Sequence, residues 1–129
     1  MWSSTERTSW VLWEARLEKN ELPLLMLWEK VCAWILHKTE LFPKSARFGL
    51  ASRLADATLD FLEHVLEAKY TKDRAPIMGR ASITLEKIRF LIRLSFEMRH
   101  LSEKQYVFIS GMVDESGRML GGWMKESSH

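Results

Sequence analysis

The sequence predicts an all-α protein, an antiparallel up-down-up-down four-helix bundle, and three observations indicate this fold class. Apolar residues recur at spacings of three and four along four segments, which places them on one face of a helix. The links between these segments are short, and short links join antiparallel neighbours. The chain has 129 residues, 47% hydrophobic and 28% charged, which suits one soluble globular domain with a real core.

The first predicted helix covers residues 23–38 and has Pro23 in its first turn, where proline is favoured. Residues 24–36 are almost wholly apolar, interrupted by Glu29 and Lys30. This run is shorter than the roughly 20 apolar residues that a membrane span needs. A helix that is apolar all round is covered on most sides, so we expect it to contact more than its own bundle.

The second predicted helix covers residues 44–70, because Phe42-Pro43 disfavours helix at Phe42 and presets the next helix start. Its expected core face consists of Phe48, Ala51, Leu54, Ala55, Thr58, Leu59, Leu62, Val65 and Leu66. Four further residues widen this apolar surface to about half of the circumference: Leu50, Ala57, Phe61 and Ala68. We interpret the acidic run on the remaining side as a solvated face.

The third predicted helix covers residues 76–100 and begins at a proline. Its core stripe consists of Ala81, Leu85, Ile88, Ile92 and Ser95. This stripe faces a single direction, as in a helix packed within a bundle.

The fourth predicted helix covers residues 103–122. Ser102 and Gln105 have the spacing of a capping box, in which hydroxyl and amide side chains bond to each other's backbone N–H groups. We interpret Gly111 and Gly117 as points of close helix approach. The Gly121-Gly122 pair is expected to loosen the end of the helix.

Three regions follow from these elements. Residues 1–20 are expected to be a loosely docked or disordered extension, or else a helix that packs on a neighbouring subunit. Residues 21–125 form the four-helix bundle, and residues 126–129 form a tail. The N-terminus lacks a basic segment followed by an apolar stretch, so we expect no secretion signal and a cytoplasmic protein.

No motif indicates an enzyme, a cofactor or a metal site. The lone cysteine, Cys32, lies in an apolar run and is interpreted as a packing residue. The glycines of GRMLGGW lack a preceding strand and the Lys-Ser/Thr pair of a phosphate loop. Di-iron bundles need inward Glu-x-x-His pairs on facing helices, whereas the match from Glu97 to His100 stands alone near a helix end.

Charge is distributed unevenly along the predicted bundle, although its net value is only +2. The ends of helices 1 and 3 and the starts of helices 2 and 4 share one end, here called the basic pole. It collects Lys38, Lys44, Arg47, Arg53, Arg99 and Lys104, with His37 and His100 nearby and Glu40, Glu97 and Glu103 among them. A basic pole suits phosphate contacts to nucleic acid. A scattered solubilising surface explains the same charges equally well.

Three segments carry a resemblance to a known family: LFPKSARFGLASRLADATLDFLEHVLEA, LEKIRFLIRLSFEMRHLSEKQY and GRMLGGWMK. They resemble the four-helix-bundle family of the accessory variability determinant of diversity-generating retroelements. The related proteins encoded in ribosomal RNA intervening sequences share this bundle. The resemblance covers roughly residues 22–125. Its specific marks are Phe42-Pro43 with Arg47, residues 85–93, residues 101–106 and residues 117–123.

The resemblance implies a homopentameric barrel of bundles and a non-enzymatic partner of a reverse transcriptase. Such a partner is needed when a template RNA is copied mutagenically into a variable gene. It also implies binding of RNA or DNA through a basic surface. The apolar residues also favour an oligomer, because helices 1 and 2 have more apolar surface than one bundle can bury.

The candidate site and two functions follow from these arguments. The expected phosphate contacts are Arg47, Arg53, Arg99 and Lys104, with Lys38, Lys44, Arg89 and Arg93 behind them. Arg89 and Arg93 could instead pair with Glu86 or Glu97. One function is a nucleic-acid-binding accessory subunit of a retroelement reverse transcriptase. The other is a structural or interaction bundle with no nucleic-acid role.

Overall fold

The computed structural model describes residues 21–127, and over that range it contains four long helices and no strand. We number them α1 (Glu21–Glu40), α2 (Ser52–Lys69), α3 (Ala75–Glu97) and α4 (Glu103–Ser127). Each helix packs against its neighbours in the chain, and α1 also packs against α4. The predicted all-α four-helix bundle is therefore confirmed for this part of the chain. The predictions for residues 1–20 lie outside the described residues.

The segment before α2 is helical from residue 44, as predicted, but its first turns are not α-helical. Lys44–Ala46 form a 3-10 turn, and Arg47–Ala51 form a π turn. A π turn holds more residues than an α turn, so a spacing of 100° per residue no longer assigns faces across it. For this reason the prediction of Phe48 as a core residue is wrong, and its side chain is 91% exposed.

The buried face of α2 is rotated relative to the prediction. Phe61, which the sequence assigned to the flank, is fully buried, whereas Leu59 and Leu66 are each 38% exposed. The cause is the contact with α1. The rings of Trp28 and Phe61 lie 4.2 Å apart, and Trp28 Nε1 donates a hydrogen bond to the carbonyl oxygen of Thr58 at 2.9 Å. Burying this aromatic pair with its hydrogen bond stabilises the bundle more than burying the two leucines on the other side of α2 would.

The third helix ends at Glu97, three residues before the predicted end at His100. Arg99 adopts the left-handed conformation with φ 63°. The His100 N–H donates to the Ser95 carbonyl at 2.8 Å, and the Arg99 N–H donates to the Phe96 carbonyl at 2.9 Å. These two bonds define a Schellman motif. Glycine usually marks such an end, and because arginine stands here the sequence carried no signal for it.

The capping box at the start of α4 is confirmed. The Ser102 N–H donates to Gln105 Oε1 at 2.9 Å, and the Gln105 N–H donates to Ser102 Oγ at 3.1 Å. The predicted end at residue 122 is wrong, since α4 continues to Ser127 and includes the first two residues of the expected tail. Trp123 is buried in the core beyond the glycine pair, and this packing holds the last turns helical.

The two glycines within α4 behave differently. A Cβ atom added at Gly117 would lie 2.5 Å from Arg89 Nη2 and 3.3 Å from Leu85 Cδ2, so the predicted close approach to α3 is confirmed there. At Gly111 nothing lies within 4 Å of the added atom. The same prediction is therefore wrong for Gly111.

Candidate nucleic-acid interface

The four chain segments of the basic pole meet at one end of the bundle. Phe42, which precedes the α2 segment, lies against His100 of the α3–α4 link, with ring centroids 5.1 Å apart. Lys38 near the end of α1 and Lys104 at the start of α4 line one common groove. The packing thus brings together helix ends that are up to about sixty residues apart in the sequence.

The groove between α1 and α4, here called the α1/α4 groove, has a volume of about 290 Å³. It is lined by Trp34, Lys38, Lys104, Gln105 and Phe108. The rings of Trp34 and Phe108 are 5.8 Å apart and inclined by 43°. Lys38 Nζ lies 5.5 Å from the centroid of the Trp34 ring, within range of a cation–π contact. Two of the predicted cations therefore share a groove with an aromatic pair.

Neither aromatic residue of this groove is among the site residues predicted from the sequence. A usable signal existed, because Trp34 precedes Lys38 by four residues and Phe108 follows Lys104 by four. Residues four apart share a helix face. Each helix therefore presents one aromatic ring and one lysine to the groove.

Lys44, Arg47 and Arg99 are exposed at the same end of the bundle. Arg47 lines a second cavity of about 380 Å³ that also contains Glu40 and Phe42. Arg99 is carried by the Schellman motif rather than by a helix, so its direction is set by the backbone of the α3–α4 link. These three cations face solvent and are available to an anionic ligand.

Arg53 belongs to a different surface. It lines the groove between α2 and α3, here called the α2/α3 groove, which has a volume of about 580 Å³. The other lining residues are Asp56, Ala57, Asp60, Ile83, Glu86, Lys87, Phe90 and Leu91. Carboxylates outnumber cations among these side chains. Arg53 therefore lies on a surface with more carboxylates than cations, unlike the rest of the predicted site.

Arg89 is engaged in ion pairs within the subunit. Its guanidinium pairs with Glu86 one turn earlier and with Asp114 of α4 at 3.2 Å. It also lies over Gly117, where the missing Cβ leaves room for it. Arg93 is exposed one turn further along α3. Of this pair, Arg93 is the cation more accessible to a ligand.

A family model described as bAvd-like matches residues 23–127. The chain belongs to the bAvd-like family. The matched range coincides closely with the bundle formed by the four helices. Membership suggests an accessory, non-catalytic protein of a diversity-generating retroelement. No curated protein matches the chain.

The buried cysteine of this bAvd-like bundle is a packing residue. Cys32 Sγ lies 3.9 Å from the carbonyl oxygen of Thr58 in the core between α1 and α2. Burial raises the pKa of the thiol to about 11, and the nearby charge of Glu29 adds to the shift. The thiol is therefore protonated at neutral pH and is a poor nucleophile.

Residues 21–127 of the bAvd-like bundle contain neither a metal-binding cluster nor a membrane-spanning helix. No group of three or more His, Cys, Asp or Glu side chains in this range is arranged to hold a metal ion. None of its helices is both long and apolar enough to cross a membrane.

Proposed function

We propose that this chain is a non-enzymatic accessory subunit of a diversity-generating retroelement that binds nucleic acid through phosphates at the basic pole. Family membership supports the accessory role. The observation that carries the binding role is the meeting of four chain segments at one end of the bundle. Lys44, Arg47, Arg99 and Lys104 are exposed there. Side chains of this kind neutralise phosphates without reading base sequence.

Self-association is part of the proposal. Exposed apolar side chains occur on α1 and α2, at Met26, Leu59 and Leu66. On α3, Ile83 and Phe90 are exposed to a greater degree and line the α2/α3 groove. Apolar patches of this kind mark interfaces. A ring of copies, five according to the family resemblance, would repeat the basic pole around one rim and make binding multivalent.

The nucleic-acid part of the proposal is tested by reversing charge at the pole. The double variant Arg47→Glu/Arg99→Glu should lose binding of a short mixed-sequence RNA, because two phosphate contacts become repulsive. The matched control is Lys72→Glu/Arg80→Glu, which makes the same charge change at exposed residues near the opposite end. Affinity is measured over a salt series, with circular dichroism and light scattering to verify helix content and mass.

The parent protein should lose affinity steeply with salt and show little sequence preference. Equal binding by the pole variant and the parent at one salt concentration would contradict the proposal. Absence of RNA binding by the parent would favour a structural bundle with no nucleic-acid role. A pull-down with the reverse transcriptase of the same retroelement tests the proposed protein partner separately.

A further inference from the structure

The α1/α4 groove contains more than the positive charge that a phosphate needs. Beside Lys38 and Lys104, one helical turn further from the basic pole, lie two aromatic rings 5.8 Å apart. Trp34 is half-buried and lies within cation–π range of Lys38, whereas Phe108 is 53% exposed. A single exposed phenylalanine is common on protein surfaces. A paired ring that stays open to solvent beside two cations offers a surface on which a base can stack.

The charge of the groove selects the ligand. Among its lining residues, all of them within the described range, there are two lysines and no carboxylate. The α2/α3 groove on the opposite side of the bundle is larger and carries Asp56, Asp60 and Glu86. A protein segment with an apolar face would fit that groove as well or better. Of these two grooves, the α1/α4 groove is the better fit for an anionic ligand with flat aromatic faces.

We propose that the α1/α4 groove binds unpaired nucleotides, with a base stacked on Phe108 and the adjoining phosphates on Lys38 and Lys104. This inference rests on the proposed function and specifies its ligand as single-stranded nucleic acid. Stacked bases inside a duplex have no free face, whereas every unpaired base offers one. Aromatic stacking of this kind changes affinity by about 5- to 150-fold per base.

The first test compares two ligands with the parent protein. An oligoadenylate and an abasic oligomer of equal length and charge are titrated at one salt concentration. The oligoadenylate should bind at least about fivefold more tightly than the abasic oligomer. Equal affinities would overturn the stacking site and leave phosphate binding intact. No binding of any ligand would overturn the proposed function together with this inference.

The second test separates stacking from charge within the groove. Phe108→Leu keeps an apolar side chain but removes the ring. Its affinity for oligoadenylate should fall about 5- to 150-fold, with an unchanged slope against salt and unchanged binding of the abasic oligomer. Phe108→Trp should retain binding. Lys104→Gln should lower the salt slope by about 0.7, the value for one phosphate of a single strand.

The matched control is Tyr70→Leu, which removes a ring that is 70% exposed and lies 4.8 Å from Lys69 Nζ, at the end of the bundle away from the basic pole. It should bind oligoadenylate like the parent. Equal losses for Phe108→Leu and Tyr70→Leu would overturn the inference. A change in particle mass for Phe108→Leu, measured by light scattering, would also overturn it, because the groove would then be an interface between copies.

Discussion

Replacing Arg99 with glycine should stabilise the bundle, although it removes a residue of the candidate site. Arg99 has φ 63° and closes α3 through the N–H bonds of the Schellman motif. The Cβ atom of an L-residue crowds the following carbonyl in this conformation, and glycine has no Cβ. The substitution leaves both backbone hydrogen bonds in place. Its effect on stability therefore reports the backbone strain at one residue.

The expected gain follows from two opposing terms. The left-handed conformation costs a residue other than glycine roughly 1–2 kcal/mol. Glycine lowers the free energy of unfolding by about 0.5–1 kcal/mol because it makes the unfolded chain more flexible. The net stabilisation is about 0.5–1 kcal/mol, equivalent to an increase in Tm of about 2–4 °C for a domain of this size.

Arg99→Ala is the control, because it removes the same charge and keeps the Cβ atom. Urea unfolding is measured at one protein concentration, since self-association would add to the apparent stability. Arg99→Gly should be more stable than both Arg99→Ala and the parent, and both variants should bind RNA equally weakly. If Arg99→Ala is as stable as Arg99→Gly, the strain argument is refuted.

Three further predictions test packing and ionisation. Gly117→Ala should raise the free energy of unfolding by less than the gain of about 1 kcal/mol expected from helix propensity, because the new methyl group displaces Arg89. In an Arg89→Ala background the same substitution should give the full gain in urea unfolding. Phe61→Ala should lower the free energy of unfolding by about 3–5 kcal/mol, whereas Leu66→Ala should lower it by less than about 1.5 kcal/mol; similar losses would contradict the rotation of α2. Burial raises the pKa of the Cys32 thiol in the folded protein to about 11 from its ordinary value of 9.0. The protonated thiol therefore favours folding below pH 9, and its contribution to the free energy of unfolding should be lost as the pH rises from 9 to 11. Cys32→Ala should not show this loss.

The sequence alone determined the features that depend on neighbouring residues. Four helices follow from apolar spacing, which is a local property of each segment. The capping box at Ser102 and Gln105 joins residues three apart and was predicted correctly. The meeting of helix ends at the basic pole also followed from helix order, because short links place alternate helix ends together, but Arg53 lies in the α2/α3 groove instead.

Tertiary packing decided which side of each helix is buried and which residues meet across the bundle. The rotation of α2 depends on the contact between Trp28 and Phe61, so the residues of α2 alone do not specify it. The left-handed Arg99 occurs without the glycine that usually signals such an end. Trp34 and Phe108 are separated by most of the bundle in sequence and become neighbours only because α1 packs on α4. Contacts of this kind depend on side-chain volumes from two helices at once, so the periodicity of either helix alone cannot specify them.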